Sequence, residues 1–98
     1  MIKSYKITYK FDQEDQMVEY FCALRKENGR LIGISAQNNF YDEIVFNFST
    51  PKSIQELEKL VLEGTAKPID EFEFIDGFNS MLNTVKEEYT RAYGKRKN

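Results

Sequence analysis

The spacing of apolar residues changes near position 50, and this change decides what the chain can fold into. Before that point apolar and polar residues alternate, whereas beyond it apolar residues recur every three or four positions. Alternation places side chains on the two faces of a β-strand, and the wider spacing places them along one face of a helix. The pattern therefore predicts an α+β domain in which strands come first and helices follow.

Four strands are predicted in the first half of the chain. They cover Lys3 to Phe11, a segment with Val18, Tyr20, Cys22 and Leu24 on one side, about Arg30 to Ala36, and Glu43 to Phe48. Asn28-Gly29 is typical of a two-residue type I′ hairpin, because both central residues of that turn take positive φ. Gly33 in the third strand indicates a bulge or a close backbone approach. The short connections favour an antiparallel meander.

The first predicted helix has two alternative starts. Thr50 could cap a helix with Pro51 at its first position, or Ser53 and Glu56 could form a capping box. Gly64 follows the apolar stripe and is a suitable helix stop. The sequence therefore predicts a helix of about ten residues that ends before Gly64.

The second predicted helix ends at Tyr93, but its start is ambiguous. Asp70 and Glu73 could cap a long helix that begins at Glu71, which is the start we favour. Alternatively, residues 69–75 alternate well enough to form a short fifth strand, with Asp76 capping a helix from Gly77.

These elements predict a single α+β domain over residues 1–98, with residues 94–98 as a frayed basic tail. The expected architecture is a two-layer sandwich, in which a four-stranded antiparallel meander packs both amphipathic helices on one face. The predicted core consists of Tyr5, Ile7, Tyr9, Val18, Tyr20, Leu24, Ile32, Ile34, Ile44, Phe46, Phe48, Leu57, Val61, Phe78, Leu82 and Val85.

The residue types that the chain lacks restrict its chemistry. It has no His, and its single cysteine is Cys22. His is the usual general base and the commonest transition-metal ligand, and one cysteine forms neither an internal disulfide nor a thiolate cage. The start of the chain lacks the apolar core of a signal peptide, and no stretch approaches the roughly 18 apolar residues of a membrane span. We expect a cytoplasmic, non-catalytic protein without cofactor or metal, whose thiol is buried and inert.

Neighbouring carboxylates and glycines do not form a recognisable catalytic motif. The pairs Glu14-Asp15, Asp42-Glu43 and Asp70-Glu71 are sequence neighbours, which usually diverge into solvent instead of converging in a cleft. The five glycines are scattered and form no phosphate-binding loop. These carboxylates are therefore predicted to be solvated charges.

Aromatic residues outside the predicted core give the best indication of function. They are Phe21, on the opposite side of its strand from Tyr20, the loop residues Phe40 and Tyr41, and Phe72, which lies off the helical stripe. Exposed aromatics surrounded by charge are typical of interaction hot spots. The predicted partner-binding residues are Phe40, Tyr41, Asp70, Glu71, Phe72, Glu73 and Asp76.

Charge along the second half is segregated. Nine acids and three lysines lie between positions 53 and 88, and they are followed by a basic tail with Arg91, Lys95, Arg96 and Lys97. Such a tail could neutralise phosphates, so a nucleic-acid-binding module that uses these four residues is the alternative hypothesis. Cations at a helix end also complement its dipole, which explains them without any ligand.

The favoured hypothesis is a small protein that acts by occupying a surface on another protein. Phe, Ile, Lys, Asn and Tyr make up 39 of the 98 residues, and AT-rich codons encode all five. This usage favours a phage- or plasmid-borne modulator of a host protein, for example an inhibitor of a nucleic-acid-handling defence enzyme whose basic groove attracts the acidic segment. A homodimer is a further alternative, because an open sheet leaves unpaired edges.

Overall fold

The computed structural model describes residues 3–10, 16–38 and 43–93. Their elements are β1 (Lys3–Lys10), β2 (Gln16–Glu27), β3 (Arg30–Asn38), β4 (Ile44–Ser53), α1 (Ile54–Leu62), β5 (Ala66–Ile69) and α2 (Glu71–Tyr93). Every strand pair is antiparallel, and the sheet order is β4-β3-β2-β1-β5. The predicted α+β fold, a strand meander followed by two helices, is confirmed.

The turn between β2 and β3 follows from its two central residues. Asn28 and Gly29 have φ values of 49° and 75°, as a type I′ turn requires. Their geometry matches the right-handed twist of the flanking strands, so β2 and β3 continue into a long paired hairpin. The predicted hairpin is confirmed.

Irregular pairing marks one line across the sheet. Leu24 is an extra residue that interrupts the pairing of β2 with β3, and Ser49, with φ of 64°, interrupts β4 at the same level. Gly33 lies between them, where an added Cβ would come within 2.0 Å of the Cys22 carbonyl oxygen. Because bulges bend the strands that carry them, the sheet bends along this line. The predicted close approach at Gly33 is confirmed.

The two helices cover opposite faces of the sheet. The register places Ile7 and Phe21 on one face, where they pack against Leu57 of α1. The residues that alternate with them along the strands point to the second face, where Tyr20, Ala36 and Phe46 lie side by side. On this face the Phe78 ring of α2 lies 5.2 Å from the Phe46 ring. We call these the Ile7 face (Ile7, Phe21, Ala23 and Ala66) and the Tyr20 face (Tyr20, Cys22, Ile34, Ala36, Phe46 and Phe48).

The strand order explains why each face receives one helix. β4 and β5 are the two edges, so α1 crosses the sheet to carry the chain from one edge to the other. α2 then begins at the β5 edge and returns over the face that α1 has left open. The periodicity predicted both helices on one face; the structure instead has a helix on each side, because the Ile7 face is already covered when α2 begins.

This arrangement changes which aromatic residues are buried. Phe21, expected to be surplus, is fully buried because α1 covers its face. Phe48 and Leu24, expected in the core, are 72% and 56% exposed, and that expectation is wrong. Both lie where α2 does not cover the sheet: Phe48 on the Tyr20 face beside Ile34, and Leu24 in the bulge of β2. The Cys22 thiol is free and buried, as predicted.

The helix termini settle the alternatives that the sequence left open. The backbone N–H of Glu56 donates to Ser53 Oγ (3.4 Å), so α1 starts after Ser53, whereas Pro51 still belongs to β4. Gly64, with φ of 80°, follows the end of α1. The long form of the second helix is present, since the Glu73 N–H donates to Asp70 Oδ1 (2.8 Å). A fifth strand also exists, but it ends at Ile69 and pairs with β1.

Candidate interaction surface

An exposed apolar pair lies at the start of α2. Phe72 is 70% exposed, and Ile75, three positions later on the same side of the helix, is also exposed. The carboxylates of Glu71, Glu73 and Asp76 stand around them in solvent, and Asp70 caps the helix. We call Asp70, Glu71, Phe72, Glu73, Ile75 and Asp76 the acidic-aromatic surface.

Packing on the other side of α2 forces Phe72 outward. Phe74 and Phe78 lie one turn apart, and their ring centroids are 5.6 Å from each other. Phe74 is buried, and Phe78 packs on Phe46. Phe72 precedes Phe74 by two residues, or about 200° around a helix. Its ring must therefore point away from the sheet, as the sequence analysis inferred from its place off the stripe.

The four carboxylates of this surface have no ion-pair partner in the described ranges. Asp70 caps the helix, and Glu71 and Glu73 lie in its first turn, where the positive end of the helix dipole stabilises them. Asp76 lies in the second turn. Within the described ranges no lysine or arginine forms an ion pair with any of the four. Their negative potential is therefore directed outward, around the Phe72 ring.

A depression borders the acidic-aromatic surface. It has a volume of about 450 Å³, and Lys3 and Ser4 line it together with Asp70 and Glu71, while Tyr5, Pro68 and Ile69 contribute apolar atoms. The surface thus has a recess of mixed charge at the start of α2.

The structure brings together five of the seven predicted partner-binding residues. Asp70, Glu71, Phe72, Glu73 and Asp76 are consecutive or nearly so at the start of α2. Phe40 and Tyr41 lie outside the described residues. Ile75 was missed, although its spacing of three from Phe72 would have placed it on the same side.

The residues of the alternative nucleic-acid site are only partly described. Arg91 is exposed in the last turn of α2, where a cation complements the helix dipole. Lys95, Arg96 and Lys97 lie outside the described residues.

A buried ionic cluster lies on the Ile7 face beneath α1. Glu19 is 3% exposed, and its Oε1 accepts a hydrogen bond from the Tyr9 hydroxyl (3.1 Å) and pairs with Lys52 Nζ (2.9 Å). Lys52 Nζ also lies 5.4 Å from the centroid of the Phe21 ring. Burial, followed by the charge of Glu19, raises the pKa of Tyr9 well above its ordinary value. The ion pair between Lys52 and Glu19 links the end of β4 to β2, the central strand of the sheet.

The sequence alone did not indicate this cluster. Glu19 has the same parity as Phe21, so both point to the face opposite Tyr20. With both helices predicted on the other face, this face was expected to contact solvent, so no buried glutamate was expected there. Its burial became visible only with α1 placed over it.

Among the described residues, no three His, Cys, Asp or Glu side chains come together as a metal-ligand set. No helix in the described ranges is both long and apolar enough to cross a membrane. Comparisons of the chain with family models, with curated proteins and with solved structures found no match.

Proposed function

We propose that this protein is a non-catalytic interaction module that binds a basic surface of another protein through its acidic-aromatic surface. The observation that carries the proposal is the 70% exposure of Phe72 inside a group of four carboxylates without cationic partners among the described residues. An aromatic ring held at a fixed position is the kind of anchor that dominates binding energy in protein interfaces.

Each part of the surface has a separate role in this proposal. Phe72 and Ile75 supply apolar area that a partner can remove from water, at about 25 cal/mol per Å². The carboxylates attract a basic partner from a distance and align it before contact. Because α2 is packed through Phe74 and Phe78, the ring is presented on a rigid element and little ordering is needed on binding.

The partner is a protein with an apolar pocket rimmed by Lys and Arg. Enzymes that handle nucleic acids have basic grooves of this kind, so a phage- or plasmid-borne inhibitor of a host defence enzyme is a concrete form of the proposal. In that form the acidic-aromatic surface occupies the groove in place of the phosphate backbone.

Site-specific photocrosslinking tests the proposal. A photoreactive phenylalanine analogue replaces Phe72 in one variant and Leu62 in a control, and both are added to a lysate of the source organism. Leu62 is 88% exposed and belongs to α1, on the opposite face. Two results together support the proposal. A protein crosslinks from position 72 and not from position 62, and the variant Phe72→Ala with Glu73→Lys captures that protein at least about 30-fold less than the native chain does.

Two outcomes contradict the proposal. Equal crosslinking from positions 72 and 62 would mean that the acidic-aromatic surface is not the contact. Crosslinks to nucleic acid, or capture that requires residues 94–98 and not Phe72, would favour the basic-tail alternative.

A further inference from the structure

Large apolar side chains stay exposed at two separate places in the described ranges. Leu24 and Phe48 are exposed on the sheet, and Tyr89 and Tyr93 are exposed on α2. Exposed aromatic side chains of this kind are typical anchors of protein interfaces.

The first place is an uncovered apolar area on the sheet. α2 covers the Tyr20 face at Tyr20 and Phe46 but not where β2, β3 and β4 approach the bend. There Phe48 is 72% exposed, and half-buried isoleucines lie beside it on β3. We call Leu24, Ile32, Ile34 and Phe48 the sheet patch.

The second place is the C-terminal half of α2, which extends beyond the sheet. Residues 86–93 are all exposed, although the apolar stripe that packs on the sheet continues through Val85 to Tyr89 and Ala92. Tyr89 is 66% exposed, and its ring lies 4.8 Å from that of Tyr93, centroid to centroid. The helix thus carries a sheet-binding stripe past the end of its own sheet.

We propose that a second copy of this chain covers both areas, with the C-terminal half of α2 from each copy lying on the sheet patch of the other. The dimensions agree: eight helical residues span about 12 Å, and three strands span about 10 Å. The exchange is reciprocal about a two-fold axis, so both copies bury the same two surfaces and the assembly closes as a dimer.

A second copy is the occupant that the fold itself indicates. The exposed part of α2 continues the stripe that already packs on the Tyr20 face within each copy, so the same kind of surface is available on the sheet of another copy. The charges beside the stripe are balanced, since Lys86 and Arg91 accompany Glu87 and Glu88. Arg25, which lines the same depression as Leu24 and Ile32, already pairs with the exposed Glu27, 3.7 Å away. Phe72 points away from the sheet and stays free in the dimer.

Sedimentation equilibrium on the whole chain tests the association. We expect a dimer at micromolar concentration, whose dissociation constant rises at least about 30-fold in Phe48→Glu and in Tyr89→Glu. Leu62→Glu and Phe72→Ala are controls at exposed positions outside the interface and should leave the dimer intact. A monomer at 100 µM protein or above, or a dimer unaffected by both interface variants, would overturn the proposal.

Cysteine trapping tests which surfaces meet. In a Cys22→Ser background, one chain carries Phe48→Cys and a second chain of different length carries Tyr89→Cys. Oxidation of the mixture should join the unlike chains. Disulfides that form mainly between like chains would contradict the reciprocal exchange, even if the protein is dimeric.

Discussion

At the scale of single residues, Gly33 is the position where the close approach of neighbouring strands leaves no room for a side chain. Its Cα hydrogens face the Cys22 carbonyl, and an added Cβ would also lie 2.9 Å from the Ala23 Cα. The contacts are with backbone, which cannot move aside as a flexible side chain can. The bend between Leu24 and Ser49 therefore requires glycine here.

Gly33→Ala is expected to lower the free energy of unfolding by about 3 kcal/mol, the upper end of the range for overpacking. Gly64→Ala is the matched control, because Gly64 has positive φ but open space around its Cα. It should cost only about 1 kcal/mol from backbone strain. Urea denaturation measures both, and an equal loss in the two variants would contradict a packing role for Gly33.

The Glu19 cluster gives a second residue-scale prediction. Glu19→Gln leaves the Lys52 ammonium in a partly buried site without its carboxylate, so we expect a loss of about 3 kcal/mol. The double variant Glu19→Gln with Lys52→Met removes both charges and should recover much of that loss. Denaturation of the two variants separates these cases, and a double variant less stable than the single one would show that the ion pair is not what matters.

Tyr9 should make stability fall at alkaline pH. Its pKa is raised in the folded protein, first by burial and then by Glu19, so between the unfolded and folded pKa values the native state holds a proton that the unfolded chain loses. Stability is therefore full below pH 10 and declines as the pH rises above it. Tyr9→Phe should flatten this decline, and tyrosinate absorbance should lose its latest-titrating group. If the stability of Tyr9→Phe falls above pH 10 as steeply as that of the native chain, a group other than Tyr9 causes the loss.

At the scale of elements, α2 depends on its N-cap. Asp70→Ala removes the oxygen that accepts the Glu73 N–H, and we expect a loss of about 1 kcal/mol. Asp76→Ala, which removes a carboxylate one turn later, should change stability by less than half as much. Thermal unfolding followed by circular dichroism compares them, and equal losses would point to charge instead of capping.

Elements set by local chemistry could be predicted from the sequence. The Asn28-Gly29 turn and the caps at Ser53 and Asp70 depend on residues within a few positions of each other. The assignment of faces could not be predicted in the same way. β2 alternates between Tyr20 and Phe21, so both of its faces carry aromatics, and which face is buried depends on where the helices cross.

The candidate surface could be predicted because it depends on local helical geometry. The core could be predicted only in part, because burial on the sheet depends on where distant elements pack. Phe72 is off the stripe of α2 by helical geometry alone, which needs no tertiary information. Phe48 lies in a regular alternation, and only the position of α2 leaves it exposed. Residues whose exposure depends on distant elements are therefore the ones that the sequence could not place.

At the scale of the whole molecule, the two proposed interfaces should differ in their response to salt. The partner contact relies on long-range attraction by carboxylates, and screening shortens that range to about 4 Å near 0.5 M salt. Dimerisation relies on apolar burial, which salt does not weaken. We expect capture by the acidic-aromatic surface to fall several-fold between 0.05 and 0.5 M NaCl while the sedimenting mass stays constant. Parallel loss of both would indicate one shared interface.

The pairing of β1 with β5 also affects how the chain is made. Tyr5 pairs with Pro68, so β1 acquires its outer neighbour only after more than sixty further residues have been synthesised. Until then the open edge of β1 can be joined by another nascent chain. A lysine at position 6 on that edge and a proline in the strand that finally closes it both disfavour such mispairing during translation.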